Sequence, residues 1–406
     1  MNIMIVPKTS KLLLWVILSG VMWTKAALLL SMPFLTLYLY KSTDLSIITI
    51  GLIVGAQPFA LCFGSVIGGY LADIFKRQTL ILFSILISSF VFMGFFLVSQ
   101  YLLADFKIIA LVLLNLVNGF CAALFSPVSR VIISDAAVTP EENIKFLHLR
   151  YFALNIGGTV GPLLGAYAGL SGSNQAFLIT SILYFIYAIV LYFALKNYKQ
   201  AIIKYAVSRF NFKEFIQTLS ELMRNKLFIS LLLSLILFNV IYVQLSSNLG
   251  LIINKNIVDG TLFFSWMLSL NALLVVILQP IIFKLIKSRR QSYVIFCGFV
   301  IISLCSLLLV FLAVNKVTLV FFVTCLTIAE ILIFPTGSIL VTEVTPEMYR
   351  DIAFGVIDLE YFGSAIGPAV GGLILQFFNV SAFYIGILII SILCCMMFLP
   401  LLRQRN

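Results

Sequence analysis

Val138-Thr139-Pro140-Glu141 recurs as Val344-Thr345-Pro346-Glu347, and Gly161-Pro162 recurs as Gly367-Pro368, both at an offset of 206 residues. Two separate matches at one spacing, in a chain of 406 residues, imply that the second half repeats the first. Each repeated block joins a short polar segment to a long apolar one, so the repeat unit is larger than the block and the two copies are arranged in parallel.

Around these blocks the chain is built for an apolar solvent. Hydrophobic residues make up 62% and charged residues 10%, whereas a soluble domain carries about 25% charged residues. Twelve stretches reach the roughly 20 apolar residues that a membrane-crossing helix needs. They lie near 12–40, 46–70, 79–99, 107–133, 147–170, 174–195, 227–253, 259–283, 291–313, 316–340, 353–377 and 380–401, and are called spans 1 to 12. A transmembrane β-barrel would show segments of about ten residues with strict alternation, and these continuous runs do not. The expected fold class is therefore an all-α membrane protein with twelve transmembrane helices in two pseudo-symmetric six-helix bundles.

The net charge of +11 is explained by topology rather than by a nucleic-acid partner. With the N-terminus inside, 21 of the 26 Lys and Arg residues fall in inner segments, while the outer loops hold Lys41, Lys107, Lys255 and Lys316. That asymmetry is the positive-inside signature, and it predicts a multi-pass protein of a bacterial-type inner (cytoplasmic) membrane with both termini in the cytoplasm. The apolar run beginning at Leu12 is too long for a cleaved leader, and no small-residue cleavage pattern follows it, so it reads as a retained helix. Residues 1–195 form the expected N-terminal bundle and 227–406 the C-terminal one. The polar stretch 196–226 reads as a cytoplasmic linker, with a surface helix around Phe212 to Met223. Paired bundles with a site between them near the membrane midplane are an architecture of secondary transporters.

Seven cysteines (Cys62, Cys121, Cys297, Cys305, Cys325, Cys394, Cys395) all fall within apolar spans without metal-type spacing, and read as packing residues. The single histidine, His148, has no sequence neighbours that would make it a ligand or a catalyst. No metal or organic cofactor is implied. A membrane enzyme would need a nucleophile with a base or a metal cluster, and a channel would need a repeated filter or charge ring; neither pattern is present.

After span 2 comes Gly68-Gly69-Tyr70-Leu71-Ala72-Asp73-Ile74-Phe75-Lys76-Arg77-Gln78, where small residues allow close helix approach and an acid followed by two bases makes a compact polar latch. Span 5 carries Gly157, Gly161-Pro162 and Gly165, and span 11 carries Gly363, Gly367-Pro368 and Gly371-Gly372. In these features the chain resembles the major facilitator superfamily, in its twelve-helix drug-efflux-like branch. The run around Asp73 looks like that family's loop 2/3 motif, the Gly-Pro runs like its span 5 motif, and Asn118-Gly119 like part of its span 4 motif. Ile74 and Lys76 stand where the family usually has Arg and Gly, and Asn115 where it usually has an Arg linked to proton handling. The resemblance implies a conformational gate built from Gly69, Asp73, Lys76, Arg77, Arg130, Gly161, Pro162, Gly367 and Pro368. Within it, Asp73 would lie near the N-terminus of span 11, where a helix dipole favours a carboxylate. Arg130 and Arg150 read either as partners of Asp73 or Asp135 or as solvated charges at the inner surface.

Four charged residues lie well within the spans: Lys25, Glu330, Asp358 and Glu360. Placing Lys or Asp at a helix centre costs about 2.5–3.5 kcal/mol, so such residues are functional by default. At 1.5 Å per residue Lys25 stands about 20 Å into span 1, near the midplane, and Glu330 is similarly central in span 10. The resemblance implies that spans 1, 4, 7 and 10 line a central cavity, so the two would share one chamber. Lys25 would hold an anionic group of the substrate, while Glu330 accepts a proton or pairs with Lys25 when the site is empty; a purely structural ion pair is the alternative. Asp358 and Glu360, two residues apart, are expected on different sides of a continuous helix. Asn115, Asn118, Asn155, Asn239, Tyr242 and Gln244 complete the predicted polar lining together with Tyr151 and Asn248, some of them serving as interhelical hydrogen bonds.

The expected function is a proton-coupled secondary transporter that moves a small organic solute by alternating access. A cation in span 1 points to an anionic or carboxylate-rich compound such as a citrate-type siderophore, and the direction of transport stays open. A multidrug efflux pump of the same superfamily and a non-transporting receptor on the same fold are the alternatives. The expected partners are the solute, protons and the lipid bilayer, with the protein a monomer.

Overall fold

The computed structural model describes residues 11–74, 77–101, 104–137, 139–196, 212–286, 288–346 and 349–403. Among the described residues, all regular secondary structure is helical. Span 1 comprises α1 (Lys11–Ser31), a 3-10 turn (Met32–Phe34) and α2 (Leu35–Ser42). Spans 2 to 6 are α3 (Ile47–Ile74), α4 (Arg77–Tyr101), α5 (Ala104–Asp135), α6 (Pro140–Tyr167) and α7 (Gln175–Lys196). After α8 (Phe212–Arg224), span 7 is α9 (Lys226–Tyr242), a 3-10 turn (Val243–Leu245) and α10 (Asn248–Asn256). Spans 8 to 10 are α11 (Gly260–Ile286), α12 (Gln291–Val310) and α13 (Lys316–Val344). Span 11 is α14 (Arg350–Ile357), a 3-10 turn (Asp358–Glu360) and α15 (Tyr361–Phe377), and span 12 is α16 (Val380–Arg403).

Among the described residues, ten helical segments are long and apolar enough to cross a bilayer. The other two of the twelve are α6, whose first turns carry charged residues, and the divided α14–α15 pair. The surface helix expected near 212–223 is present as α8.

Local signals set the boundaries. Thr139 caps α6 by accepting the Glu142 amide at 3.2 Å with Pro140 in the first turn, so α6 begins at Pro140 rather than 147. Its repeat partner Thr345 has a buried hydroxyl without a hydrogen-bond partner among the described residues, and the amide at the equivalent position 348 lies outside them. The two copies differ further along as well. The 3-10 turn at Asp358–Glu360 corresponds by the 206-residue offset to 152–154, where α6 runs unbroken. A stretch of 3-10 geometry inside a long helix marks a hinge or a functional site.

One apolar core gathers Leu13 to Leu195 and a second gathers Leu222 to Leu401. Phe34, in the turn of span 1, crosses into the second core and meets Phe264 edge-on at 5.5 Å between centroids. The glycines of the repeat allow backbones to touch. A side chain at Gly161 would strike the Ala26 carbonyl of α1, and one at Gly363 the Ile236 carbonyl of α9, so α6 is seated on span 1 as α15 is on span 7. Gly55 against the Ala365 carbonyl and Gly372 against the Ile47 carbonyl join α3 to α15 across the two halves.

Contacts between the halves concentrate at the end remote from α8. There Lys41 Nζ reaches Asn254 Oδ1 and Thr261 Oγ1, both at 3.5 Å. The Ser269 hydroxyl donates to the Thr159 carbonyl at 2.7 Å, and Tyr167 meets Trp266 edge-on at 6.4 Å. At the opposite end, Leu222 of α8 enters the second core and the Asn225 amide donates to the Val344 carbonyl at 2.8 Å, fastening the linker helix to the second half.

Candidate functional site

Glu330 is held by donors from two other helices. The Tyr242 hydroxyl of α9 donates to its Oε1 at 3.1 Å, and the Asn271 amide of α11 donates to its Oε2 at 2.8 Å. Asn271 also reaches Thr327 Oγ1 at 3.0 Å, and Thr327 gives its own proton to the Val323 carbonyl at 2.7 Å. Both amide hydrogens of Asn271 are thus committed to α13. Tyr242 is oriented by Phe334 edge-on at 5.2 Å and by Phe238 stacked at 6.4 Å. A carboxylate away from bulk water needs such donors, because leaving a charged group without them costs more than the net gain of a typical hydrogen bond.

Lys25 faces this cluster from the first half. It is half-buried on α1, at the level where Gly157 of α6 comes against the Met22 carbonyl, and it acts electrostatically on Glu330 across the interface. The hydrogen bonds that fix Glu330 come from Tyr242 and Asn271 of its own half. Tyr151 of α6, paired with Asn155 one turn further on, is within electrostatic range of Glu330 as well. The assembled group therefore draws Lys25, Tyr151 and Asn155 from one half and Tyr242, Asn271 and Glu330 from the other. It combines one cation, one carboxylate and neutral donors: a site able to hold an anionic group and exchange a proton at one place.

Other predicted residues stand elsewhere. Asn239 accepts the Ser364 hydroxyl at 3.0 Å, and Gln244 donates to the Gly367 carbonyl at 2.9 Å while accepting from Asn248 at 2.8 Å. Asn248 in turn reaches the Pro368 carbonyl at 2.9 Å. These side chains bind span 7 to the Gly-Pro segment of span 11 and do not line the central group. Asn115 is buried and returns its amide to the Leu111 carbonyl, and Asn118 is buried with its amide nitrogen unpartnered among the described residues.

Asp358 and Glu360 are not two faces of a continuous α-helix, as their spacing suggests; both belong to the 3-10 turn that divides span 11. Its 3.0 residues per turn alter the angle between them and point them differently from the α-helical expectation. Asp358 acts on Cys62 of α3, and both acids act on Tyr361 together with Arg130 of α5. Arg150 is buried and bonds Ser126, and Arg130 is exposed. Of the predicted gate, Lys76 lies outside the described residues, as do the side-chain surroundings of Gly69, Asp73 and Arg77. Gly161 and Gly367 are at helix contacts: a side chain at Gly367 would strike that of Val243.

Asn271 on span 8 and Thr327, about one turn before Glu330 on span 10, lie outside the polar lining expected from the sequence. The available signal was a lone asparagine midway along an otherwise apolar span 8. Away from the central group, a cavity of about 210 Å³ opens between α11 and α13 beside Ile331 and Pro335, with a mostly apolar lining that includes Gln279 and Gln291.

Comparison with known proteins agrees with this architecture. A family profile described as Major Facilitator Superfamily matches residues 14–359 and 261–406. The chain is 30% identical over 369 residues to the uncharacterized MFS-type transporter YqjV of Bacillus subtilis (strain 168), covering 90% of this chain and 87% of the relative. It is 23% identical over 366 residues to a Na(+), Li(+), K(+)/H(+) antiporter of Planococcus maritimus, with 83% of each chain covered. A crystal structure of a POT family transporter in complex with 5-aminolevulinic acid superposes with a TM-score of 0.75 at 13% identity, over 96% of this chain and 95% of that one, a likeness of fold. Twelve spans, a repeat across two halves, a polar group between them and these matches lead to one assignment: the chain belongs to the Major Facilitator Superfamily and is a membrane transporter, not an enzyme.

Proposed function

We propose that this transporter is a proton-coupled secondary carrier of a small organic anion, working by alternating access between a bundle formed by residues 1–195 and one formed by 227–406. The observation that carries the proposal is Glu330, held by Tyr242 and Asn271, within electrostatic range of Lys25 of the other half. A carboxyl group in that position can carry the proton, and the lysine can hold a carboxylate of the solute, so loading of one alters the charge seen by the other. Rocking the halves would then move both between the two membrane faces.

Charge distribution supports an inner-membrane orientation with α8 and both termini on the cytoplasmic side. In that orientation the Lys41, Ser269 and Tyr167 contacts close the outer face, and the conformation corresponds to an inward-facing state. The same reading takes the protein as a monomer, since each chain carries both halves of the site.

The test is flux driven by a pH gradient in proteoliposomes, with citrate-type siderophores and simpler carboxylates set beside cationic dyes and alkali cations. Carboxylate flux that depends on Lys25 supports the proposal; flux of dyes that ignores Lys25 would replace it with drug efflux. A second reading, exchange of an alkali cation for protons, is favoured by the similarity to the Planococcus maritimus antiporter and by the acids of span 11. Lys25 opposes it, because a fixed cation beside Glu330 repels a second one.

A further inference from the structure

The cavity of about 210 Å³ between α11 and α13 follows α13 from Ile331 to Ile339, a rise of about 12 Å. That length and volume give a mean width of about 5 Å, room for one hydrocarbon chain at carbon contact distances of about 4 Å. Pro335 and Ile339 stand about 140° and 180° around the helix from Glu330, so the cavity lies on the far side of α13 from the carboxylate. Its reach to Gln291 agrees, because that residue begins α12, which packs on α13 and α16 within the second half. Two large apolar lining residues are open to the surroundings, Phe283 at 56% and Ile339 at 39% exposure. On the outer side of a membrane-spanning bundle, exposed apolar side chains of this kind meet lipid.

One end of the cavity is basic. Ile286 closes α11 and Gln291 opens α12, and both line the cavity, so the turn between the two helices forms its mouth. From Lys284 to Gln291 the sequence carries four cations, Lys284, Lys287, Arg289 and Arg290, and no acid. Arg290 is engaged in packing: it donates to the Leu401 carbonyl at 3.2 Å and lies over the Tyr293 ring at 5.6 Å. Lys284 and Arg289 are exposed, and Glu343, one turn past Ile339, brings one exposed acid to the same end of α13. A basic cluster at the cytoplasmic end of a crevice between transmembrane helices suits an anionic headgroup, and an apolar crevice suits its chain. With α8 on the cytoplasmic side, the orientation on which this inference rests, the mouth opens at the cytoplasmic leaflet. We propose that the cavity takes one acyl chain of an acidic phospholipid from that leaflet, with the phosphate held by Lys284 and Arg289. Gln291 stands at the mouth, where its amide can donate to an ester carbonyl. The site is separate from the chamber of Lys25 and Glu330, and its occupant is a bound lipid whatever solute the protein carries.

The experiment titrates the purified full chain in detergent with phosphatidylglycerol or phosphatidylcholine of matched chains and counts retained lipid by native mass spectrometry. Four variants are compared with the unaltered chain after their Tm confirms folding: Lys284→Gln with Arg289→Gln, Ile339→Trp, the milder filling variant Ile339→Phe, and Lys196→Gln. The last removes a cation at the same membrane face on α7, away from the cavity. The proposal expects phosphatidylglycerol to be retained in preference to phosphatidylcholine. Its apparent affinity should fall by at least about tenfold in the double variant and also fall in the filling variants, which keep every charge, while Lys196→Gln leaves it unchanged. Equal retention of the two lipids overturns the acidic headgroup. Preference for phosphatidylglycerol that ignores both filling variants, or that falls as much in Lys196→Gln as in the double variant, reduces the effect to general surface attraction and overturns the site.

Discussion

Asn271 on α11 divides its two amide hydrogens between Thr327 Oγ1 and Glu330 Oε2 on α13, at 3.0 and 2.8 Å. Because Thr327 and Glu330 lie about one turn apart, a single side chain fixes both the height and the rotation of α13 against α11. The carboxylate that faces Lys25 is therefore positioned by a neutral residue whose importance its chemistry alone does not advertise.

Removing that amide should be felt at two places. Asn271→Ala leaves Glu330 Oε2 without its donor and is expected to destabilise the protein by about 1–3 kcal/mol, with reduced flux. Tyr242→Phe, which removes one bond and keeps the ring packing, should cost less. Thermal unfolding and proteoliposome flux measured on both variants check the ranking, and equal losses would count against it.

Glu330→Gln keeps the shape of the side chain, replaces one acceptor oxygen with an NH2 donor that the Tyr242 hydroxyl can accept, and cannot exchange a proton. It should abolish the acceleration of flux by a pH gradient while leaving binding of the solute measurable by calorimetry. Flux that still follows the gradient would assign the proton to another group.

Lys25→Ala is expected to weaken binding of an acidic solute by at least about tenfold, equivalent to ~1.4 kcal/mol. Lys25→Arg should retain most of the affinity. Titration of the same solute into the three proteins distinguishes a need for charge from a need for packing against Gly157.

Helix seating can be tested without reference to any solute. Gly161→Val would drive a branched side chain into the Ala26 carbonyl, and Gly363→Val into that of Ile236. Overpacking of this kind costs about 1–3 kcal/mol, visible as a lowered Tm. Gly355→Val, at a position with nothing near its added Cβ among the described residues, serves as the mild control.

A last prediction concerns α8. Tyr349, in the loop before α14, hydrogen-bonds Glu221, and the neighbouring carboxylate raises the tyrosine above its ordinary value of 10.0. Folding therefore favours the protonated phenol: its contribution is fully present below the unfolded-state value and is lost as pH rises through the folded-state one. Attachment of α8, followed by protease sensitivity of the linker, should be constant through neutral pH and weaken only in strong alkali. Tyr349→Phe should remove that alkaline dependence.

Much of the fold was legible because membrane helices announce themselves by length and composition, and because the offset between Thr139 and Thr345 exposed the repeat. Lys25 and Glu330 stood out for the same reason: charge is conspicuous in an apolar run. The sequence was less informative where geometry depends on which way a neutral side chain points. Asn239 and Gln244 lie on the expected span yet turn toward Gly-Pro in span 11, and Asn271 turns inward from a helix that periodicity could not orient, since its apolar residues surround it on all sides. The division of span 11 was also hidden, because Asp358-Leu359-Glu360 fits an α-helix as readily as a 3-10 turn, and only the packed environment selects between them.

That division makes the two halves unequal as machines. In the first, α6 runs as one α-helix, with Pro162 inside it, from the linker side to the far end; in the second, the corresponding member contains a 3-10 turn that carries two acids. The turn at Asp358–Glu360 gives the α14 arm, packed beside α8, a place to bend that α6 does not have at the equivalent position.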